Sequence, residues 1–112
     1  MISRHWKGIA RRDLADRYVS HLETDTLPRL VSLPGFVRAT ILRRDVAEGT
    51  EFRVVTVWDS LEAIKAFAGT DVEAAVVPDT ARAMMVDYDP RAVHYEIVAT
   101  VETGKPAAPD VP

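Results

Sequence analysis

Apolar periodicity changes along this chain in a way that few folds can accommodate. Residues 1–9 alternate between two faces, with Ile2, Arg4 and Trp6 on one of them, as in an extended strand. Apolar residues then recur every three or four positions, which predicts a helix that Pro28 should kink or restart. Two β-rich runs joined by a short loop follow, and then a second helical region and a last strand. The predicted order is strand, helix, strand, strand, helix, strand.

Local signals mark the ends of the later elements. A short polar loop should join the two β-rich runs as a hairpin. Asp59 can cap the second helix, which Gly69 ends. Pro78 can open a further helix that turns Met84 towards the core. The last strand is predicted over residues 91–102.

This order of elements is that of the split βαβ, or ferredoxin-like, arrangement. We therefore predict an α+β fold, βαββαβ, with a four-stranded antiparallel sheet ordered 4-1-3-2 and helices on one face. The other face would be bare and apolar, with Ile9, Leu42, Val55, Val57 and Val98. A second copy packed sheet to sheet with two-fold symmetry is the simplest cover, so we expect a homodimer.

Charge and composition limit the possible partners. The chain of 112 residues has 14 basic and 17 acidic side chains, so it lacks the basic excess that binding a nucleic acid requires. Cysteine is absent, which excludes disulfides and thiolate ligands and fits a cytoplasmic protein. No apolar stretch reaches the roughly 18 residues of a membrane span, and we expect no membrane association. We predict one domain over residues 1–102 and a mobile tail over residues 103–112, which contain three prolines.

Two segments make this chain similar to a known family. They are "EFRVVTVWDSLEAIKAFAGTDVEAAVVP", in which a strand ends in Trp58 before a helix, and the terminal "HYEIV". With them, residues 1–101 resemble the antibiotic biosynthesis monooxygenase family. The resemblance implies a dimeric α+β barrel and a cofactor-independent monooxygenase that acts on a small aromatic or polyketide-like substrate. Similar chains also include heme-degrading enzymes and proteins with no assigned activity.

Heme degradation is the less favoured enzymatic alternative. The heme-degrading relatives that this segment resembles have a tryptophan where this chain has Phe67, and an axial histidine where it has Val77. Heme iron needs a strong axial donor such as imidazole, and the neighbouring residues supply only carboxylates and thioethers. His21 could replace the missing histidine only in a different pose. We therefore expect no heme and no other cofactor.

The candidate pocket combines aromatic and polar side chains. An oxygenase without a cofactor needs an apolar site for a flat phenolic substrate and polar groups that favour its phenolate form. Arg4 or a tyrosine hydroxyl, such as that of Tyr95, could stabilise the oxyanion. Large side chains that could bind the substrate come from strands and helices: Trp6, Tyr18, Trp58, Phe67 and Met84. Packing in the hydrophobic core is the simpler explanation for most of them.

The three histidines, His5, His21 and His94, lack the paired spacing typical of metal sites, so we expect no metal. His5 and His94 lie on the first and last strands, which are neighbours in the predicted sheet. Imidazole titrates in the range that a general base needs, so either histidine is a catalytic candidate. Strand alternation is expected to place both on the bare face, where polar contacts at a dimer interface are the alternative role. It would then place Tyr95 on the helix-covered face, as a wall of the pocket.

Two classes of function remain open. One is a small dimeric oxygenase, and the other is a dimer without catalysis that binds a hydrophobic ligand or has a structural role. An enclosed cavity of roughly several hundred Å³ that Arg4, Tyr95 or a histidine reaches would favour chemistry or ligand binding. A space filled by Trp58, Phe67 and Met84 would argue against both.

Overall fold

The sheet contains five antiparallel strands in the computed structural model, which describes residues 1–104. The strands are β1 (Ile2–Ala10), β2 (Phe36–Val46), β3 (Gly49–Trp58), β4 (Met85–Tyr88) and β5 (Val93–Glu96). Their spatial order is β2-β3-β1-β4, and β5 also pairs with β1. The α-helices are α1 (Ala15–His21), α2 (Leu27–Val31), α3 (Leu61–Ala68) and α4 (Asp79–Arg82). Most of the predicted tail, residues 105–112, lies outside the described part of the chain.

The predicted α+β fold and strand order are confirmed, with one difference at the last strand. That position is shared by β4 and β5, which pair with the two ends of β1. The segment between them bonds to the loop after α3 instead, where the Ala75 N–H donates to the carbonyl of Pro90 at 3.0 Å. The Ala92 N–H likewise donates to the carbonyl of Glu73 at 2.7 Å. Proline has no N–H for a ladder hydrogen bond, which favours a break in the strand here.

Two predictions about this region are wrong. The strand expected over residues 91–102 is only Val93–Glu96, and residues 97–104 form no strand. The helix expected to run through Met84 ends at Arg82, because Met85 begins β4. A short apolar run of this kind is compatible with a helix end or with a strand. Here it forms a strand, because β1 has a free edge with which β4 pairs.

The first helical region contains one wider turn. It begins with a 3-10 turn, Arg12–Leu14, and a π-helical turn, Leu22–Thr26, joins α1 to α2. There the Leu27 N–H donates to the carbonyl of Leu22, five residues back instead of four. Pro28 lies in the first turn of α2, and its ring would clash with the carbonyl four residues back in a regular α-helix. The predicted interruption of the helix near Pro28 is therefore present, as a π-helical turn directly before α2. No helix within residues 1–104 is long and apolar enough to cross a membrane.

Local signals set the hairpin and the limits of α3. Residues 47–48 join β2 to β3, which confirms the predicted hairpin. Gly69 ends α3 with a φ of 87°, as predicted. The helix cap is Ser60 rather than Asp59, because the Ser60 hydroxyl accepts a hydrogen bond from the Ala63 N–H at 3.2 Å.

The open face of the sheet carries most of the apolar residues expected on it. Ile9, Leu42, Val55 and Val57 lie there by strand register. Val57 is already buried within the chain, while Leu42 is exposed. The placement of Val98 on this face is wrong, because β5 ends before it.

Two clusters form the core on the helix-covered face. One contains Ala10, Ala15, Tyr18, Leu22, Phe52, Ala81 and Met84. The other contains Leu30, Trp58 and Ile64. Arg4 and Thr56 pair across β1 and β3 on the same face and are buried. Thr56 lies between Phe52 and Trp58 along β3, so polar side chains separate the two clusters.

Truncating Ile64 tests the second cluster. Ile64→Ala should lower the free energy of unfolding by roughly 2–5 kcal/mol, the usual effect of removing a buried aliphatic side chain. Leu61→Ala on the same helix is the matched control, because Leu61 is 46% exposed and Ile64 is 0% exposed. The control should change stability by no more than about 0.5 kcal/mol. Urea denaturation measures both variants, and equal losses would contradict the core position of Ile64.

Candidate functional site

A cavity lies on the helix-covered face between the two core clusters. Its empty volume is ≈ 550 Å³, including the open mouth. Its wall is mainly apolar, with Trp6, Tyr18, Leu22, Leu30, Val54, Phe67, Val76, Val77, Pro78 and Ala81. Four polar side chains also line it: Arg4, His21, Thr26 and Thr56. An apolar wall with a few polar groups is typical of a small-molecule site.

The guanidinium of Arg4 is the buried charge of this cavity. Arg4 lies within β1 and is only 4% exposed. Its N–H groups donate to the carbonyl of Val72, to the carbonyl of Ala74 at 2.8 Å and to Nε2 of His94 at 2.9 Å. Its Cζ atom lies 5.7 Å from the centre of the Phe67 ring, within cation–π range. Burial lowers the pKa of Arg4. The ordinary pKa of arginine is so high that Arg4 nevertheless stays protonated at neutral pH.

His94 is held in one hydrogen-bonding state by Arg4. An arginine can only donate, so His94 accepts at Nε2 and carries its proton on Nδ1. Burial and then the Arg4 charge lower the pKa of His94, while the Glu73 charge raises it less. His94 is therefore neutral at pH 7, and it orients Arg4 as an acceptor.

The predicted positions of His94 and Tyr95 are reversed. His94 pairs with Arg4 across β5 and β1, and directly paired residues share a face of the sheet. Tyr95 therefore points to the open face, where its ring centre is 4.9 Å from that of His5. Tyr95 does not line the cavity, and the expected meeting of His5 with His94 on the open face is wrong.

The predicted substrate-binding residues are divided between the cavity and the core. Trp6, Tyr18 and Phe67 line the cavity. Trp58 and Met84 lie in the two core clusters and do not line it. Trp58 supports the wall from behind, because its ring stacks on that of Phe67 at 5.9 Å. Substrate binding by the three lining residues stays a prediction.

His21 is a polar cavity residue that the sequence indicated only as an alternative heme ligand in a different pose. Its side chain is 10% exposed. Within residues 1–104, Nε2 of His21 is the one buried side-chain nitrogen or oxygen without a hydrogen-bond partner. The sequence does contain a pattern that predicts this burial. His21 lies three residues after Tyr18 and directly before Leu22, which places it on the apolar side of the first helix.

These groups define what the cavity can do chemically. It combines a buried cation, an unpaired imidazole nitrogen and the hydroxyl of Tyr18, whose pKa burial raises well above its ordinary value. Tyr18 therefore stays neutral and can donate a hydrogen bond. No group of three or more potential metal ligands occurs in the described chain. The arrangement suits an aromatic ligand that can become an anion.

Known proteins resemble this chain in sequence and in fold. A family model described as antibiotic biosynthesis monooxygenase matches residues 10–78, which is more than half of the chain. No curated protein sequence matches it significantly.

Several solved structures share the fold. A candidate antibiotic biosynthesis monooxygenase from Bacillus cereus is 15% identical with a TM-score of 0.65, and the match covers 94% of this chain and 98% of that one. A monooxygenase from Streptomyces coelicolor in complex with nanaomycin D is 16% identical with a TM-score of 0.64, over 92% of each chain. The heme-degrader MhuD from Mycobacterium tuberculosis, with two hemes bound in its active site, is 20% identical with a TM-score of 0.58. The match covers 91% of this chain and 100% of that one. At these identities the likeness shows the fold alone.

The stability of the fold should fall as the pH falls below about 6.5, the ordinary pKa of histidine. The pKa of His94 is lowered in the folded protein, so below that pH the unfolded chain binds the proton more readily. The contribution is complete above this pH and is lost as the pH falls. His94→Gln should therefore give a shallower fall in unfolding free energy between about pH 7 and pH 5, as measured by urea denaturation.

His5 has to be separated from this effect. Burial and then the Arg53 charge lower its pKa as well, so His5→Gln should remove a different part of the pH dependence. The two effects should add, because the side chains lie on opposite faces of the sheet. An unchanged slope in His94→Gln would contradict the assigned role of His94.

Proposed function

The chain belongs to the antibiotic biosynthesis monooxygenase family, and from this premise we propose that it oxygenates a flat phenolic compound bound in the cavity. The observation that carries the proposal is the buried guanidinium of Arg4 in the wall of an aromatic-lined cavity. A positive charge in an apolar enclosure favours the anionic form of a bound phenol, because the low dielectric strengthens the attraction. An electron-rich phenolate is the species that can react with oxygen.

The proposed reaction uses molecular oxygen and takes its electrons from the substrate. The hydroxyl tautomer of an anthrone-type compound, in which the former methylene carbon carries one hydrogen, loses its O–H proton and the phenolate passes one electron to O₂. Superoxide bonds to that ring carbon, the phenolate oxygen becomes a ketone, and the peroxide anion takes up a proton to give the hydroperoxide. The hydroperoxide then loses water and leaves a carbonyl. Overall, the methylene group and one O₂ give a carbonyl and one H₂O. The balance requires no metal and no flavin.

Three aromatic side chains are proposed to hold the ring system. The Trp6 indole N–H already donates to the carbonyl of Asp89 at 2.8 Å, so Trp6 offers a ligand its ring face rather than a donor. Phe67 lines the cavity, and the Trp58 ring stacks on it and holds it in place. The hydroxyl of Tyr18 is available to donate to a ligand oxygen. A tricyclic ligand would occupy the mouth as well as the inner space.

Heme fits this cavity poorly. Val77 and Phe67 line the wall, and neither side chain has a donor for iron. Among the described wall residues, His21 is the one imidazole. The proposed reaction therefore uses no heme.

We also propose that the protein is a homodimer through the open face of the sheet. Large apolar side chains are exposed there, with Leu42 at 50%, Val93 at 51% and Tyr95 at 55% exposure. Val55 lies on the same face, next to His5 in register. Identical sheet faces of this kind are covered when two chains pair with two-fold symmetry.

Purified protein should convert a dihydroxyanthrone into the anthraquinone and consume one O₂ for each quinone formed. Absorbance and an oxygen electrode measure the two together. Arg4→Lys should lower kcat by on the order of 100-fold, the usual loss when a group that stabilises an oxyanion is removed. Arg53→Lys, an exposed arginine on the open face, is the matched control and should keep the full rate.

The other outcomes separate the alternatives. Binding of the anthraquinone without turnover would contradict the oxygenase and indicate a non-catalytic ligand-binding protein. Neither binding nor turnover would contradict both functions. A Soret shift on addition of stoichiometric heme, lost in His21→Ala, would establish heme binding instead.

Sedimentation equilibrium should give twice the mass of a single chain. Val55→Lys should yield a monomer, because it places a charge on the face that the second copy covers. Val31→Lys is the matched control, since Val31 lies on α2 and is 72% exposed. A monomeric wild type, or a Val55→Lys variant that stays dimeric, would rule out this interface.

A further inference from the structure

The Nε2 atom of His21 is buried in the cavity wall without a partner. Buried polar atoms nearly always have a hydrogen-bond partner, because an unpaired one destabilises the fold. The carboxylate of Asp25 is 3.8 Å away, beyond hydrogen-bond range. Within the described residues this nitrogen therefore has no hydrogen-bond partner, and its side chain belongs to the wall of the cavity.

The helix and its aromatic neighbours hold the imidazole ring in place. His21 is the last residue of α1, directly before the π-helical turn. Its ring stacks on that of Tyr18, with centroids 6.3 Å apart and an interplanar angle of 19°. Tyr18 in turn packs edge-on against Phe52 at 4.8 Å. The ring is thus positioned before any ligand binds, as a catalytic group should be.

We propose that Nε2 of His21 is the base that takes the proton from the phenolic hydroxyl of the substrate. The inference rests on the proposed function and narrows the substrate class to aromatic compounds with a free, uncharged hydroxyl. The O–H bond breaks, its electron pair stays on the phenolate oxygen, and the lone pair of Nε2 binds the proton. His21 returns this proton to the peroxide anion, which becomes the hydroperoxide, so His21 is neutral again after each turnover.

The charged and titratable groups around His21 suit this role. The Asp25 carboxylate, on the adjoining π-helical turn, stabilises the imidazolium that forms. Tyr18 does not compete for the proton, because burial raises the pKa of its hydroxyl. Arg4 lines the same cavity and stabilises the phenolate. Proton transfer therefore creates two charges, each with an opposite charge available.

The dependence of kcat on pH tests the proposal. Wild-type kcat for the dihydroxyanthrone should rise with pH, because only an unprotonated base can accept the substrate proton. His21→Gln keeps a polar side chain but cannot take up a proton, and should lower kcat by on the order of 10²–10⁴-fold and remove this dependence on pH. The dissociation constant for the anthraquinone should change by less than about threefold. Arg17→Gln, at an exposed position of the same helix α1, is the matched control and should keep the wild-type profile.

A second measurement is independent of turnover. 4-Nitrophenol absorbs visible light mainly as its phenolate, so its spectrum reports proton transfer directly. At a pH where free nitrophenol is mostly protonated, the wild type should bind it as phenolate and His21→Gln should bind it as phenol. Added imidazole should restore both ionisation and turnover in His21→Ala.

The two measurements separate the two proposals. If the wild type ionises nitrophenol but does not oxidise the anthrone, the base is supported and the oxygenase is contradicted. If His21→Gln keeps the wild-type rate and pH profile, or ionises nitrophenol as the wild type does, the role of His21 as the base is overturned.

Discussion

The guanidinium of Arg4 lies within the sheet with almost no exposure to water, and the elements around the cavity supply its partners. A buried charge persists only when hydrogen bonds and attractive contacts replace its hydration. The carbonyls of Val72 and Ala74 bring in the loop after α3, His94 brings in β5, and Phe67 brings in α3. One side chain of β1 therefore connects the strand, the helix and the loop that enclose the cavity.

The interruption of the last strand belongs to the same arrangement. Between β4 and β5 the chain turns away from β1 and forms backbone hydrogen bonds with the loop after α3. On the surface, Arg91 adds side-chain bonds to Asp71 at 2.9 Å and to Glu73 at 3.3 Å. These bonds lower the pKa of Asp71, because the guanidinium stabilises its carboxylate. A continuous last strand would give its backbone hydrogen bonds to β1, and the loop after α3 would lose them.

Local sequence patterns predict the elements of this protein better than they predict the partners of each side chain. Changes of apolar period identify the order of strands and helices, and a φ-positive glycine at Gly69 ends α3 where the pattern stops. Alternation also separates His94 from Tyr95 correctly. Which face each takes depends on the register of β5 against β1, and a shift of one residue exchanges them. The unpaired state of His21 depends on tertiary packing in the same way.

The hydrogen bonds of Arg4 also limit what the cavity can accept. Three of the five N–H groups that an arginine carries are bound to protein acceptors, so Arg4 acts on a ligand mainly through its charge. A ligand that arrived as an anion would have to give up its hydration to enter the apolar cavity. A neutral phenol avoids this cost and becomes charged only inside, where the attraction of Arg4 is strongest. Such an order of events requires a proton acceptor in the cavity wall, and of the described wall residues His21 is the one with an unpaired basic nitrogen.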